Sequence, residues 1–180
     1  MQRLLLALVL ALLGAPSRAD DAPPANYENW GVCPFECCTY REWTADDDVP
    51  VHQGRSDASP IVFHLRRDES FDAVTGVVVT ERAAAVTIDA PVREGYTKGS
   101  DAPQLDLKNG NTIYILSPLG EGDWLFWYRD RVYRSGDALA SVIAAQAQPL
   151  KARWWKLVKN HAGAEGWTAS DKFRNADACG

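Results

Sequence analysis

Four cysteines, three histidines and an unusual set of aromatic rings are the residues with chemical potential in this chain of 180. Cys33, Cys37 and Cys38 stand close together, and Cys179 is one residue from the C-terminus. Their C-x3-C-C spacing lacks the paired C-x-x-C pattern of zinc sites, so no metal centre is expected. A cysteine nucleophile needs a free thiol and a neighbouring histidine. His52, His64 and His161 are well separated, each in or beside a strand or turn. No G-x-S-x-G, H-E-x-x-H or phosphate-loop motif occurs. The residues therefore predict a protein that is not an enzyme, with no catalytic set and no cofactor.

The rings are the stronger signal. Seven Trp, six Tyr and five Phe stand against a single Met. Trp30 and Trp43 bracket the cysteine cluster, Trp124 and Trp127 share one run, and Trp154, Trp155 and Trp167 lie near the C-terminal end. In an extended run successive side chains alternate between faces. Trp124, Phe126 and Tyr128 then share one face, and Leu125, Trp127 and Arg129 the other. Such rings either fill a core or present a stacking surface. Rings beside Asp123, Arg129 and Lys156 would suit a sugar or a short peptide. With 19 basic against 24 acidic side chains and a net charge of -5, a broad footprint for nucleic acid is not expected.

The segments that carry these residues begin with a leader. Arg3, the unbroken apolar run Leu4 to Leu13, and the small residues of Ser17-Arg18-Ala19 read as a cleaved secretory signal over residues 1–19. The run is shorter than the about 20 apolar residues a membrane span requires, and no later stretch could span. The expected location is periplasmic or secreted. Export makes disulfides the default for Cys33, Cys37, Cys38 and Cys179. A bond between the adjacent Cys37 and Cys38 is disfavoured by geometry. The remaining arrangements join Cys33 to Cys37 or to Cys38 and leave the other for Cys179.

Residues 20–45 form a cysteine- and aromatic-rich segment, its Asp20 to Asn29 part a polar leader or linker. The Trp30 to Trp43 stretch reads as a disulfide-fixed strap. The acidic Asp46-Asp47-Asp48 lacks the alternation and glycine of a calcium loop and reads as a solvated turn. Short β-like runs follow at Val49 to Gln53, Ile61 to Leu65, Phe71 to Thr80 and Ala84 to Ile88. A second group comprises Thr112 to Leu116, Trp124 to Tyr133, Arg153 to Lys159 and Gly166 to Thr168. Only Asp137 to Gln148 reads as helix, Ala-rich and stopped by Pro149. The pattern predicts an all-β protein of small barrels or sandwiches with one short helical insertion.

The string Arg153-Trp154-Trp155-Lys156-Leu157-Val158-Lys159-Asn160, continued by His161-Ala162-Gly163-Ala164-Glu165-Gly166-Trp167-Thr168, resembles the closing half of an SH3-like domain. Val49-Pro50-Val51-His52-Gln53 with Asp57-Ala58-Ser59-Pro60-Ile61-Val62-Phe63-His64-Leu65 resembles the opening of bacterial extracellular SH3-like modules. Leu107 to Leu116, followed by Gly120-Glu121-Gly122-Asp123-Trp124, resembles a second opening. Residues 46 to about 172 span twice the about 60 residues of one small barrel. The resemblance therefore implies two units, 46–102 and 103–175, with one barrel carrying a large insertion as the alternative.

That family lines a ligand groove with the first Trp of the pair, a Pro after the last strand and a nearby Tyr. Here the corresponding positions are Trp154, Ala169 and Phe173, which lack the stacking proline and the hydroxyl. Polyproline recognition is thereby weakened. The resemblance implies a non-catalytic binding or interaction protein of the bacterial envelope, with Trp154, Ala169, Phe173, Trp124 and Trp127 as ligand-binding residues. Its partner would be a cell-wall fragment or an envelope protein. An envelope enzyme, such as a cysteine-dependent cell-wall hydrolase, or an enzyme inhibitor is the alternative.

Overall fold

A computed structural model describes residues 22–147 and 149–177. The signal expected over residues 1–19 and Cys179 lie outside the described residues. Among the described residues the protein is mostly β, with one α-helix and a large sheet curled into a half-barrel. No described helix is long and apolar enough to cross a membrane.

The strands are β1 (Tyr27–Trp30), β2 (Glu42–Ala45), β3 (Val49–His52), β4 (Ile61–Leu65), β5 (Ser70–Arg82), β6 (Ala84–Thr87) and β7 (Val92–Glu94). After them come β8 (Leu105–Leu107), β9 (Thr112–Pro118), β10 (Trp124–Tyr128), β11 (Arg131–Arg134), the helix α1 (Asp137–Gln146), β12 (Lys151–Lys159), β13 (Glu165–Thr168) and β14 (Phe173–Arg174). The large sheet runs β14-β2-β5-β12-β13-β3-β4, and β1 also pairs with β5. A second sheet runs β11-β10-β9-β6, and β7 and β8 form a hairpin of their own.

β5 is the spine. It holds β12 along one edge, from Lys159 opposite Asp72 to Lys151 opposite Arg82. Its other edge is shared, with β2 opposite Ser70 to Asp72 and β1 opposite Val77 to Thr80. The pairing therefore crosses the boundary expected after residue 102. The stretch from Ala84 to Gln146, lying between β5 and β12, builds the second sheet and its helix.

Alternation sorts the side chains into two cores. Val49, Val51, Leu65, Phe71, Ala73 and Val158 join Trp43 in the core of the large sheet. Phe126 and Tyr128 lie in a separate core with Val86, Ile113, Ile115 and Tyr133, roofed by Leu139 and Ile143 of α1. Helix α1 ends two residues before the expected Gln148, with the Ala147 N–H bonded to the Ile143 carbonyl at 2.7 Å.

Two expectations change. Trp124 to Tyr133 is two strands, because Arg129 (φ 48°) and Asp130 (φ 61°) both take left-handed conformations and turn the chain as a tight hairpin. Tyr27 to Asn29 belongs to β1 rather than to a linker. A four-residue strand with two polar members carries little periodic signal; β5 supplies the pairing that orders it.

Of the two pairings open for Cys33, the one to Cys38 forms. Cys37 is disulfide-bonded as well. The Asp46-Asp47-Asp48 turn is pinned by arginines: Asp46 by Arg174, Asp47 by Arg67 and Asp48 by Arg66. The Arg67 N–H and the Arg66 guanidinium hold the Asp48 carboxyl below its ordinary range.

Candidate functional site

Trp154, Lys156 and Val158 share the inner face of β12. Lys156 lies opposite Gly76 of β5, and that glycine makes room for a ring. A Cβ on Gly76 would sit 2.1 Å from the Tyr40 Oη and 2.5 Å from the Trp154 Nε1. Into this space the Trp154 indole N–H donates to Tyr40 Oη at 3.0 Å, and the Tyr40 hydroxyl donates in turn to the Val32 carbonyl. Burial raises the Tyr40 phenol above its ordinary value, and the indole N–H opposes that in part. Phe35 and Trp43 meet the Trp154 ring edge-on, at 5.9 and 6.0 Å between centroids. Trp154 is therefore half-buried beneath its own chain's cysteine-rich segment.

Lys156 is the outlier of the site. Its side chain is fully buried, and its Nζ donates at 2.8 Å to Asp171 Oδ1, whose side chain is 84% exposed. The ammonium also lies 4.1 Å from the Trp154 ring centroid and 5.8 Å from that of Phe173. Ring faces carry the negative end of an aromatic quadrupole and so favour a cation there. Burial nonetheless pulls the Lys156 amine below the ordinary lysine value, with Asp171 opposing it.

Beside this pair is a depression of about 440 Å³ lined by Trp154 and Ala169, together with Pro50, His52, Asp57 and Asp171. One wall is the 53–59 loop, closed by Gln53 N–H to Pro60 O and by Gly54 N–H to Ser59 Oγ. Asp57 near its tip pairs with Arg153 of β12 at 2.5 Å. The His52 Nδ1–H donates to the Ser59 carbonyl at 2.8 Å. The other wall is the 168–171 turn, where the Ser170 N–H bonds Thr168 Oγ1. Gly166 lets β13 pass close to β3 and β4: an added Cβ would meet Val51 Cγ1 at 2.7 Å and Val62 Cγ2 at 2.8 Å.

The depression joins two of the expected ligand-binding residues, Trp154 and Ala169. Phe173 is not on its lining; its ring packs on Phe71 at 5.1 Å and Trp43 at 5.8 Å. Trp124 and Trp127 belong to the second sheet. Trp124 packs on the core under α1, and the Trp127 ring is covered edge-on by Tyr27 at 6.1 Å. Asp123 pairs with Arg134 at 3.1 Å and its carboxyl is raised by burial, while Arg129 lies over Tyr128. His64 and His161 are exposed, His64 on β4 beside the strand that carries His52 and His161 in the turn between β12 and β13, and no described group of three His, Cys, Asp or Glu is placed to hold a metal ion.

A second cluster escaped the sequence. Arg55 lies over the edge-to-face pair of Trp30 and Trp167, 4.9 and 5.6 Å from their ring centroids, which are themselves 5.9 Å apart, and pairs with Glu28 at 2.8 Å. Trp30 is 54% exposed and is the most open large hydrophobic residue described. These residues come from β1, the 53–59 loop and β13, so no local spacing announces them. Compared against protein-family models, curated proteins and solved structures, the chain matches none.

Proposed function

We propose that this chain is an exported, non-catalytic binding protein of the bacterial envelope, built on an SH3-like half-barrel. Its ligand is a cell-wall peptide or peptide-bearing glycan. The 31–41 segment acts as a disulfide-fixed strap over the aromatic end of the half-barrel.

The observation that carries this reading is the depression shared by Trp154 and Ala169. It offers a ring edge, two carboxylates (Asp57 and Asp171), the Arg153 guanidinium and the His52 imidazole. Cell-wall peptides present amino and carboxylate groups of both signs, which such a lining meets by exchange with its own ion pairs. Cys33, Cys37 and Cys38 are all in disulfides, which favours binding over cysteine catalysis. Disulfides also favour an oxidising compartment.

The test is a titration of the mature chain with soluble peptidoglycan fragments, read by tryptophan emission and by thermal unfolding. A ligand at about 100 times its Kd raises stability by about 2.7 kcal/mol. Binding that is lost in both Asp57→Ala and Asp171→Ala supports the reading. Unchanged emission and unchanged Tm across the titration would overturn it.

A further inference from the structure

A second cavity, sharing no lining residue with the first, sits between the two sheets and has a volume of about 430 Å³. That size lies within the about 300–1,000 Å³ common for small-molecule sites, which favour the junctions of structural units. Its floor is apolar, made by Leu125 and Val132 of the second sheet and by Leu119, just past the end of β9. Asn29 of β1 and Tyr96 reach it from other sides.

The 96–104 loop supplies the charges. It is anchored at its base by reciprocal backbone bonds between Tyr96 and Arg134, at 2.9 and 2.8 Å. It is closed on itself by the Gln104 N–H to Gly95 O bond and by Gln104 Nε2 to Ser100 Oγ. Lys98 and Asp101 project from this framework onto the cavity's lining. Among the described residues neither has an ion-pair partner. The cavity's third charge, Arg134, is already balanced by Asp123 and rests over Tyr96.

The free charges are thus one ammonium and one carboxylate above an apolar floor. We propose that this inter-sheet cavity binds a small zwitterion with an apolar side chain, of the α-amino acid class. Lys98 takes the ligand carboxylate, Asp101 takes its ammonium, and Leu119, Leu125 and Val132 receive the side chain. A simple anion or cation would leave one of the two loop charges unmatched; a neutral apolar molecule would leave both.

The experiment is calorimetric titration of the mature chain with L-leucine and L-phenylalanine, alongside N-acetyl-L-leucine and L-leucinamide. Either free amino acid is expected to bind, and blocking either end of leucine to weaken binding about tenfold or more. Lys98→Ala should abolish the preference for leucine over its amide, and Asp101→Ala the preference for leucine over its N-acetyl derivative. Both residues are exposed on a loop, and thermal unfolding of each variant verifies that the fold is intact. The proposal is overturned if neither free amino acid binds at millimolar concentration. It is equally overturned if the blocked forms bind as tightly, or if the two variants keep the parent's preferences.

Discussion

Lys156 Nζ and Asp171 Oδ1 lie 2.8 Å apart across the protein surface, the lysine side chain fully buried and the aspartate 84% exposed. The ion pair is lopsided, because the cation carries nearly all of the desolvation while its counter-charge stays in water. Replacing a buried ion pair by apolar side chains of similar volume is often neutral or stabilising, and here the lysine is the only buried member, so its removal strands no buried charge. Lys156→Met is therefore expected to leave Tm unchanged or higher. Asp171→Ala leaves the buried ammonium with rings alone, at a cost of about 2 kcal/mol, less than for a wholly buried pair because water can replace the carboxylate. Thermal unfolding of the two variants measures both; a large loss in Lys156→Met would show that the cation holds the core together.

The same lysine gives the stability a pH signature. Its folded-state pKa is lowered by burial, so between that value and the ordinary about 10.4 the unfolded chain holds more protons at this position than the folded one. Stability contributed by this residue rises as pH climbs through that window. Burial raises Tyr27 and Tyr40, which act in the opposite sense above about 10. The comparison thus belongs between pH 8 and 10: the stability of wild type relative to Lys156→Met should rise with pH in denaturant titrations. A flat difference would remove the lysine from the account.

Alternation made this arrangement partly legible. The sequence placed Trp124, Phe126 and Tyr128 on one face of a strand, and that grouping holds; the same alternation puts Trp154, Lys156 and Val158 together on β12. The sequence also separated the Ile61 to Leu65 strand. What periodicity could not carry was partnership between distant segments. Nothing near Trp154 says that Phe35 and Tyr40 will cover it, and nothing near Trp30 says that its ring will meet Trp167 with Arg55 over both. Lysine is almost never fully buried, so Lys156 reads locally as a surface residue. The long β5–β12 pairing, with residues 84–146 between its strands, is likewise set by packing rather than by local pattern.

Gly76 should be among the least replaceable glycines described. Alanine there drives its methyl into Tyr40 Oη and Trp154 Nε1 in the middle of β5. Overpacking of this kind costs about 1–3 kcal/mol, and loss of the indole–phenol bond adds to it. Gly110, at φ +82° with nothing within 4 Å, is the control: alanine there meets only backbone strain of about 1–2 kcal/mol. Chemical denaturation should place Gly76→Ala below Gly110→Ala, with altered near-ultraviolet dichroism from Trp154 in the first alone.

Removing the Cys33–Cys38 bridge should uncover Trp154. The bridge closes a short loop whose Phe35 ring lies against the indole, and loops of about six residues gain about 2 kcal/mol from closure. In Cys33→Ser/Cys38→Ser the 33–38 segment loosens, so tryptophan emission moves to longer wavelength and acrylamide quenching rises. Adding Trp154→Phe should abolish most of that change. Equal quenching before and after removal of the bridge would mean that Phe35 and Tyr40 hold their places without it.

Helix α1 depends on a residue more than 40 positions before it. Gly136 at its N-cap makes no side-chain cap bond; the buried Glu94 of β7 instead accepts from the N–H groups of Gly136 (3.0 Å), Ala138 (2.7 Å) and Leu139 (3.1 Å). First-turn N–H groups have no partner within a helix, and a carboxylate there also meets the positive end of the helix dipole. Glu94→Ala leaves those donors without their acceptor, the Leu139 N–H buried, at a cost of about 2 kcal/mol. Glu94→Gln keeps an acceptor but loses the charge, so its loss should be about half as large. Far-ultraviolet dichroism should show weaker helical signal in the alanine variant, and Leu139 and Ile143 amides should exchange faster. Unchanged exchange at both positions would show that packing alone fixes the helix on the second sheet.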